Sequence, residues 1–498
     1  MSRHARAGIS RNRTPSLLPQ PSTWPLWLAR WRTVSPQRGS TAIALLVAVV
    51  VALSVLAISV NSAARAGVER QRKTALALGA AHEALIAYAV AVKPDTYAKR
   101  PGDLPCPDLD NDGDAELTCS SASQRIGRLP WKTLRMPDLR DGDGERLWYA
   151  VSTHFKRTTV NQCPVAGGPN CLNSDTGGTL TVRDSGGAIL HDGTNAASGA
   201  VAVIIAPGPI LTRLGQTRPQ DRGCTGDADV RNCEQTDRCS GATTARCNPV
   251  NYLDVVGPPV RLASGPSNLR EDNATFSDTT SDDGFVAGPI QDRNGSPIVN
   301  DTLLVVRYEE LMPLVEQRVA REALKCLDDY ASNPTSGHGR YPWAARVSAD
   351  YTAQLADASG VLFGRLPQTL VATGADTSGA MSIAWPAACA IAADSDANKW
   401  WNNWKNLVFY ALAPSYGPGS GMPGCGVCLT VSPSTTAQGK RVAVLVAGRQ
   451  LGSWQRRGVG ATVTNYLEDA NASGGSPGWT SFKRGAPSAT FNDVVVSR

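Results

Sequence analysis

The chain of 498 residues is 42% hydrophobic and 18% charged, with 47 glycines, 33 prolines and a formal net charge of +6. Seven arginines in residues 1–40, where no acid occurs, supply that charge and leave the rest at −1, which argues against a body-wide basic footprint for nucleic acid. The length admits roughly two to four domains, and the glycine and proline content speaks for loops and sheets rather than an all-helical body.

Residues 1–39 read as a basic leader. Residues 41–60 follow without a charge, and at ~1.5 Å of helical rise per residue such a run reaches ~30 Å, the thickness of a bilayer's hydrocarbon core. Segment 40–61 is therefore expected to be a transmembrane helix. It is longer than the apolar core of a secretory signal, although Ala64-Arg65-Ala66 offers the small residues of a cleavage site. The arginine-rich side is expected to stay cytoplasmic, because the far flank mixes Arg65, Arg70, Arg72 and Lys73 with Glu69. Beyond the span, Leu76, Ala80, Ala84, Ala87 and Tyr88 continue a helical apolar stripe up to Pro94. One helix of about fifty residues, ~75 Å long, would then serve both lipid and a folded body.

Arg38-Gly39 ahead of a long apolar helix that becomes amphipathic resembles the N-terminus of type IV pilins and type II secretion pseudopilins. The resemblance implies cleavage by a prepilin peptidase after Gly39, with Ser40 as the new first residue. It also implies a bacterial inner-membrane protein of one pass, its body in the periplasm or at the cell surface, and other pilin-like subunits as partners. Ser40 stands where the family has phenylalanine and Ala44 where it has glutamate, the latter a feature of the tip-type minor pseudopilin. Asp141, Gly144 and Tyr149 resemble the family's turn into its sheet, with Asp143 in place of the tryptophan.

Between helix and turn, Asp108, Asp110, Asp112, Asp114 and Glu116 alternate around Gly113 at the sixth position. Alternate carboxylates around a tight turn are the start of an EF-hand-like loop and make these residues the candidate Ca2+ ligands. The twelfth position is Cys119, so Glu116, Asp138 or Asp141 would have to complete the set. The plain alternative is an exposed acidic turn without an ion.

Short similarities then recur in one order. Residues 82–89 (HEALIAYA) are echoed at 321–331, 127–134 at 364–370, 147–151 at 408–412, 179–182 at 428–431, 200–208 at 441–448, 251–253 at 465–467 and 300–306 at 492–496. Each set reads as a helix, a loop and β-branched runs such as 201–206 and 442–447, an α+β layer of helix on antiparallel sheet. Two tandem pilin-like lobes, 62–309 and 310–498, are expected, the second with a soluble helix around 314–331. The first lobe is longer: 53 positions separate Tyr149 from Ala202 against 33 from Tyr410 to Ala443, and 48 separate Tyr252 from Asn300 against 26 from Tyr466 to Asn492. Such insertions are where function tends to sit.

All twelve cysteines, Cys106, Cys119, Cys163, Cys171, Cys224, Cys233, Cys239, Cys247, Cys326, Cys389, Cys425 and Cys428, lie beyond the apolar run, as suits disulfides in an oxidising compartment. Their connectivity is open. The spacing of the four from Cys224 to Cys247 favours disulfides over zinc. Cys425-Gly-Val-Cys428 has redox-motif spacing without the surrounding βαβ pattern, so a structural bridge or bonds elsewhere are expected. His4, His82, His154, His191 and His338 fall in no catalytic motif. The sequence thus points to a non-enzymatic filament subunit or, as the alternative, a permanently anchored extracytoplasmic binding protein that does not polymerise.

Overall fold

In the computed structural model the described residues are 40–498 apart from 94–99, 157–171, 196, 242, 258–270, 276–283, 348–354, 392–395, 422, 434–438, 453–455, 457–461 and 474–479. Gly39, Cys163 and Cys171 thus lie outside them, as does Pro94. By compactness the chain divides into residues 1–65 and 66–498.

Helix α1 spans Ser40–Ala91 without a break. Among the described residues it is the one helix long and apolar enough to cross a membrane, with apolar stretches at Leu45–Leu56 and Ala64–Ala91. The two differ in character. Ala64–Ala91 carries Arg65, Glu69, Arg70, Arg72 and Lys73 and buries Ala77, Leu78, Ala81, Leu85 and Ala89 in the body's core, as a core helix does. Leu45–Leu56 carries no charge, and its large side chains are exposed, from Leu45 at 69% to Leu56 at 58%.

The body is mixed α+β with several small sheets. Strands β1 (Ile126–Arg128), β2 (Trp148–Val151), β3 (Val182–Arg183), β4 (Ala202–Ala206), β5 (Phe285–Val286) and β6 (Thr302–Val306) precede helix α2 (Tyr308–Ser332). Strands β7 (Phe363–Arg365), β8 (Val408–Leu412), β9 (Thr430–Ser432), β10 (Val442–Val446), β11 (Ser481–Lys483) and β12 (Val494–Ser497) follow it. One four-stranded sheet has the order β1-β2-β4-β6 and the other β7-β8-β10-β12, both antiparallel throughout. Beside them β3 pairs in parallel with β5, and β9 with β11. The registers correspond as well: Gly127 faces Tyr149 and Gly364 faces Tyr410.

The central strands are buried on both faces, which is why they read as continuous apolar runs. Side chains alternate between faces along a strand, so Tyr149, Val151, Ala202 and Ile204 enter the core shared with the helices. Trp148, Ala150, Val203 and Ile205 enter a second core with Tyr252, Leu253 and Phe285. Helix α2 packs its Leu311, Val315, Val319 and Leu327 face into the shared core, against β10 and β12. It begins at Tyr308, ahead of the expected start near Leu314, because the Glu310 carboxylate accepts the Arg307 backbone N–H at 3.1 Å and caps the first turn.

Polar anchors repeat beside the two sheets. Asp301 Oδ2 accepts the Asp254 backbone N–H and Asn273 Nδ2–H at 2.8 Å each. Asp493 Oδ2 accepts the Glu468 backbone N–H and Asn471 Nδ2–H at 3.0 Å each. The Arg128 guanidinium lies 4.3 Å over Trp148 and 3.9 Å over Tyr252, and that of Arg365 4.4 Å over Phe409 and 4.1 Å over Tyr466.

Candidate functional site

The acidic loop grows out of the edge of the first sheet. Asp108 and Arg128 exchange backbone hydrogen bonds of 3.0 and 2.8 Å. Gly127 lets the chain approach so closely, since a Cβ there would lie 2.7 Å from the Asp108 carbonyl oxygen. From this anchor the loop turns through Asn111 and Gly113, both with positive φ. The disulfide Cys106–Cys119 closes its base.

The carboxylates fold inward on the loop's own backbone. Asp108 Oδ2 accepts the Gly113 N–H at 2.7 Å and Oδ1 the Asp112 N–H at 3.2 Å. Asp110 Oδ1 accepts the Asp112 N–H at 3.2 Å, and Asp112 Oδ1 the Asp114 N–H at 2.8 Å. Asp108, Asp110 and Glu116 converge, each offering an oxygen within 4.8 Å of the others. Burial pushes the Asp108 carboxyl up to about 7, helped by the charges of Asp110 and Asp112 and opposed by the Gly113 N–H. Glu116 is raised too, chiefly by burial, against the bond from the Leu109 N–H.

The remaining expected ligands lie apart from this group. Asp114 is exposed, with Thr133 Oγ1 at 3.5 Å. Asp138 is held by Arg140 at 2.8 Å and Arg146 at 2.9 Å. Asp141 accepts the backbone N–H groups of Asp143, Glu145 and Gly208 at 2.9, 2.9 and 3.0 Å, so it fastens the turn into the sheet.

A cation already faces the loop. Arg238 donates from Nε and Nη2 to Asp110 Oδ2 at 2.9 and 2.6 Å and lies 3.2 Å from Asp112. It belongs to the cysteine-rich insertion, stapled by Cys224–Cys233 and Cys239–Cys247. The Cys239 N–H donates to the Asp110 carbonyl at 2.7 Å, and Asn111 Nδ2–H to the Asp237 carbonyl at 2.6 Å. Loop and insertion thus form one charge-matched surface. Sequence reasoning singled out the acids and the cysteines but not Arg238, 128 positions from Asp110, for which no local signal exists.

Asp227 lies near Cys233 and Cys239, but both sulfurs are committed to disulfides. Its carboxylate accepts from Thr244, Ser240 and Asp229, which hold it below the usual range. Cys425 and Cys428 bond each other, and Cys326 and Cys389 are buried. His82 Nε2 lies 3.1 Å from Glu310, which ties α1 to α2. No protein-family model, no curated protein and no solved structure matches this chain.

Proposed function

We propose that this chain is a membrane-anchored minor pilin- or pseudopilin-like structural subunit, acting in the assembly or at the tip of a type IV pilus or type II secretion pseudopilus. The observation that carries the reading is α1, one unbroken helix with an uncharged, exposed apolar stretch at Leu45–Leu56 and a core-forming stretch after Arg65. A filament subunit needs such a surface, because it exchanges lipid for the apolar helices of its neighbours. The α+β body and the two sheets of like order support two pilin-like lobes on that helix. Ala44 lacks the carboxylate that the family pairs with a neighbour's amino group, and a bulky body fits the end of an array better than its middle. A low-copy initiating or tip subunit follows, in the inner membrane with its body in the periplasm.

Mass spectrometry of the mature chain tests the reading. A new N-terminus at Ser40 is expected, together with crosslinks from cysteines placed along Leu45–Leu56 to other pilin-like helices. An intact leader, with crosslinks to lipid alone while filaments form, would overturn it. The stapled insertion on the acidic loop favours a second reading, a permanently anchored extracytoplasmic protein that binds a partner there. In either case the convergence of Asp108, Asp110 and Glu116 is the proposed Ca2+ site.

A further inference from the structure

Cys326 and Cys389 are not among the four disulfides of the described residues, yet they meet in the core. Cys326 lies on the buried face of α2 with Ala323, Leu327 and Tyr330. The segment carrying Cys389 folds down onto that face. Tyr330 and Trp385 bring their rings within 5.5 Å, the Tyr330 hydroxyl donates to the Ser382 carbonyl at 2.6 Å, and the Cys389 N–H closes a turn on the Pro386 carbonyl at 2.8 Å. The two sulfhydryls are in hydrogen-bond contact, and both residues belong to the same hydrophobic cluster.

We propose that Cys326 and Cys389 form a long-range disulfide that locks the segment around Trp385 onto α2, closed by exchange with an external disulfide such as oxidised glutathione or the cystine of an oxidoreductase. The inference rests on the body lying outside the cytoplasm. In the exchange one cysteine thiolate attacks the external disulfide, breaks its sulfur–sulfur bond and releases one thiol. The second cysteine attacks the mixed disulfide and releases the other thiol. The pair loses two electrons, the external disulfide gains them, and the two protons end on the released thiols.

Timing follows from burial. The hydrogen bond from Cys326, and then burial, hold the Cys389 thiol far above its ordinary range, so the folded dithiol offers little thiolate. Exchange therefore belongs to folding, before the segment docks. The bond would span 63 positions, from 326 to 389, where the four described disulfides span 13, 9, 8 and 3. Longer loops restrict the unfolded chain more.

The test is peptide mapping of the purified full chain, unfolded and alkylated without reduction. A cross-linked peptide pair joining 326 to 389 is expected, two hydrogens lighter than the reduced pair. Alkylation of both while the four described bridges persist overturns the proposal, as does a crosslink from either to a different cysteine. A chain alkylated at every cysteine speaks against the exported body instead, and oxidised glutathione added while the reduced full chain refolds in detergent then decides the pair: joining supports the bond, alkylation at both positions overturns it. In the supporting case, a C326S/C389S chain melts a few degrees lower.

Discussion

Asp108 and Ala345 occupy equivalent places beside the two large sheets. Asp108 exchanges backbone hydrogen bonds of 3.0 and 2.8 Å with Arg128 on β1, and Ala345 exchanges bonds of the same lengths with Arg365 on β7. Each arginine then stacks on two aromatic rings. After this shared frame the two regions part. The first runs into carboxylates, a disulfide and the docked insertion, whereas Ala345 bridges to Asp357, whose buried carboxylate accepts the Ala372 and Thr373 backbone N–H groups at 2.8 and 2.6 Å. The backbone and its buried anchors are thus one solution used twice, and the acidic loop with its docked insertion is added to the first copy. That contrast assigns fold stability to the common features and function to the features that differ.

The sharpest way to break the comparison is at the common anchors. Asp301 accepts two buried N–H groups and Asp493 one buried and one half-buried, and burial raises both carboxyls well above their ordinary value. Asp301→Ala and Asp493→Ala each leave two donors without an acceptor, at roughly 2 kcal/mol apiece, so each is expected to cost about 4 kcal/mol. The Asn variants resemble the protonated acid in shape and should cost less than about 1 kcal/mol. Chemical denaturation measures both. A large loss at Asp301 beside none at Asp493 would mean that the two anchors are alike only in appearance.

Much of this frame was legible in the sequence, for reasons that are local. The paired segments at 127 and 364, 147 and 408, and 200 and 441 fall on β1 and β7, β2 and β8, β4 and β10, because β-branched runs bounded by glycine and proline announce strands. The spacing of the four cysteines in the insertion also pointed to disulfides over zinc, while their pairing stayed open. Sheet order was not, since nothing in a strand names its neighbour. Arg238 on Asp110, Cys326 against Cys389 and the burial of Glu316 all depend on segments that meet only after folding.

The helices give a second, somewhat smaller contrast. Helix α1 keeps its acids Glu69 and Glu83 exposed, whereas α2 buries Glu316. Burial pushes the Glu316 carboxyl up from 4.5 to about 8, against the Tyr308 hydroxyl and Arg456 and with the help of the Asp175 charge. Below pH 4.5 both folded and unfolded chains hold this proton. Above that the unfolded chain releases it and the folded chain keeps it until about pH 8, so stability falls across the window and levels off beyond it. The slope is about 1.4 kcal/mol per pH unit. Glu316→Gln removes it, and the variant's advantage over the natural chain is expected to grow by roughly 3 kcal/mol from pH 6 to pH 8. A difference that stays flat across that range would place Glu316 among ordinary carboxylates.

The smallest expected effect on stability bears most directly on the acidic loop. Arg238 is 53% exposed, and an exposed ion pair contributes little, so Arg238→Ala should leave the melting temperature within about a degree of the natural chain's. Its effect on cation binding should be larger. Ca2+ needs several hard oxygens, and Asp108, Asp110 and Glu116 supply three within 4.8 Å of one another, but the guanidinium already satisfies Asp110 and a cation must compete with it. On the proposed Ca2+ site, removing Arg238 is expected to raise the loop's affinity. The expected result is a rise in melting temperature on Ca2+ addition that is greater in the variant than in the natural chain, reversed by a chelator and abolished by a second change, Asp110→Ala. At the Ala345 edge the Asp357 carboxylate is already taken up by the Ala372 and Thr373 N–H groups, so the response is expected from the first region. Identical melts of the Arg238→Ala chain with Ca2+ and with chelator, the disulfides kept oxidised, would leave the loop as an acidic surface whose natural counter-charge is the arginine of the insertion.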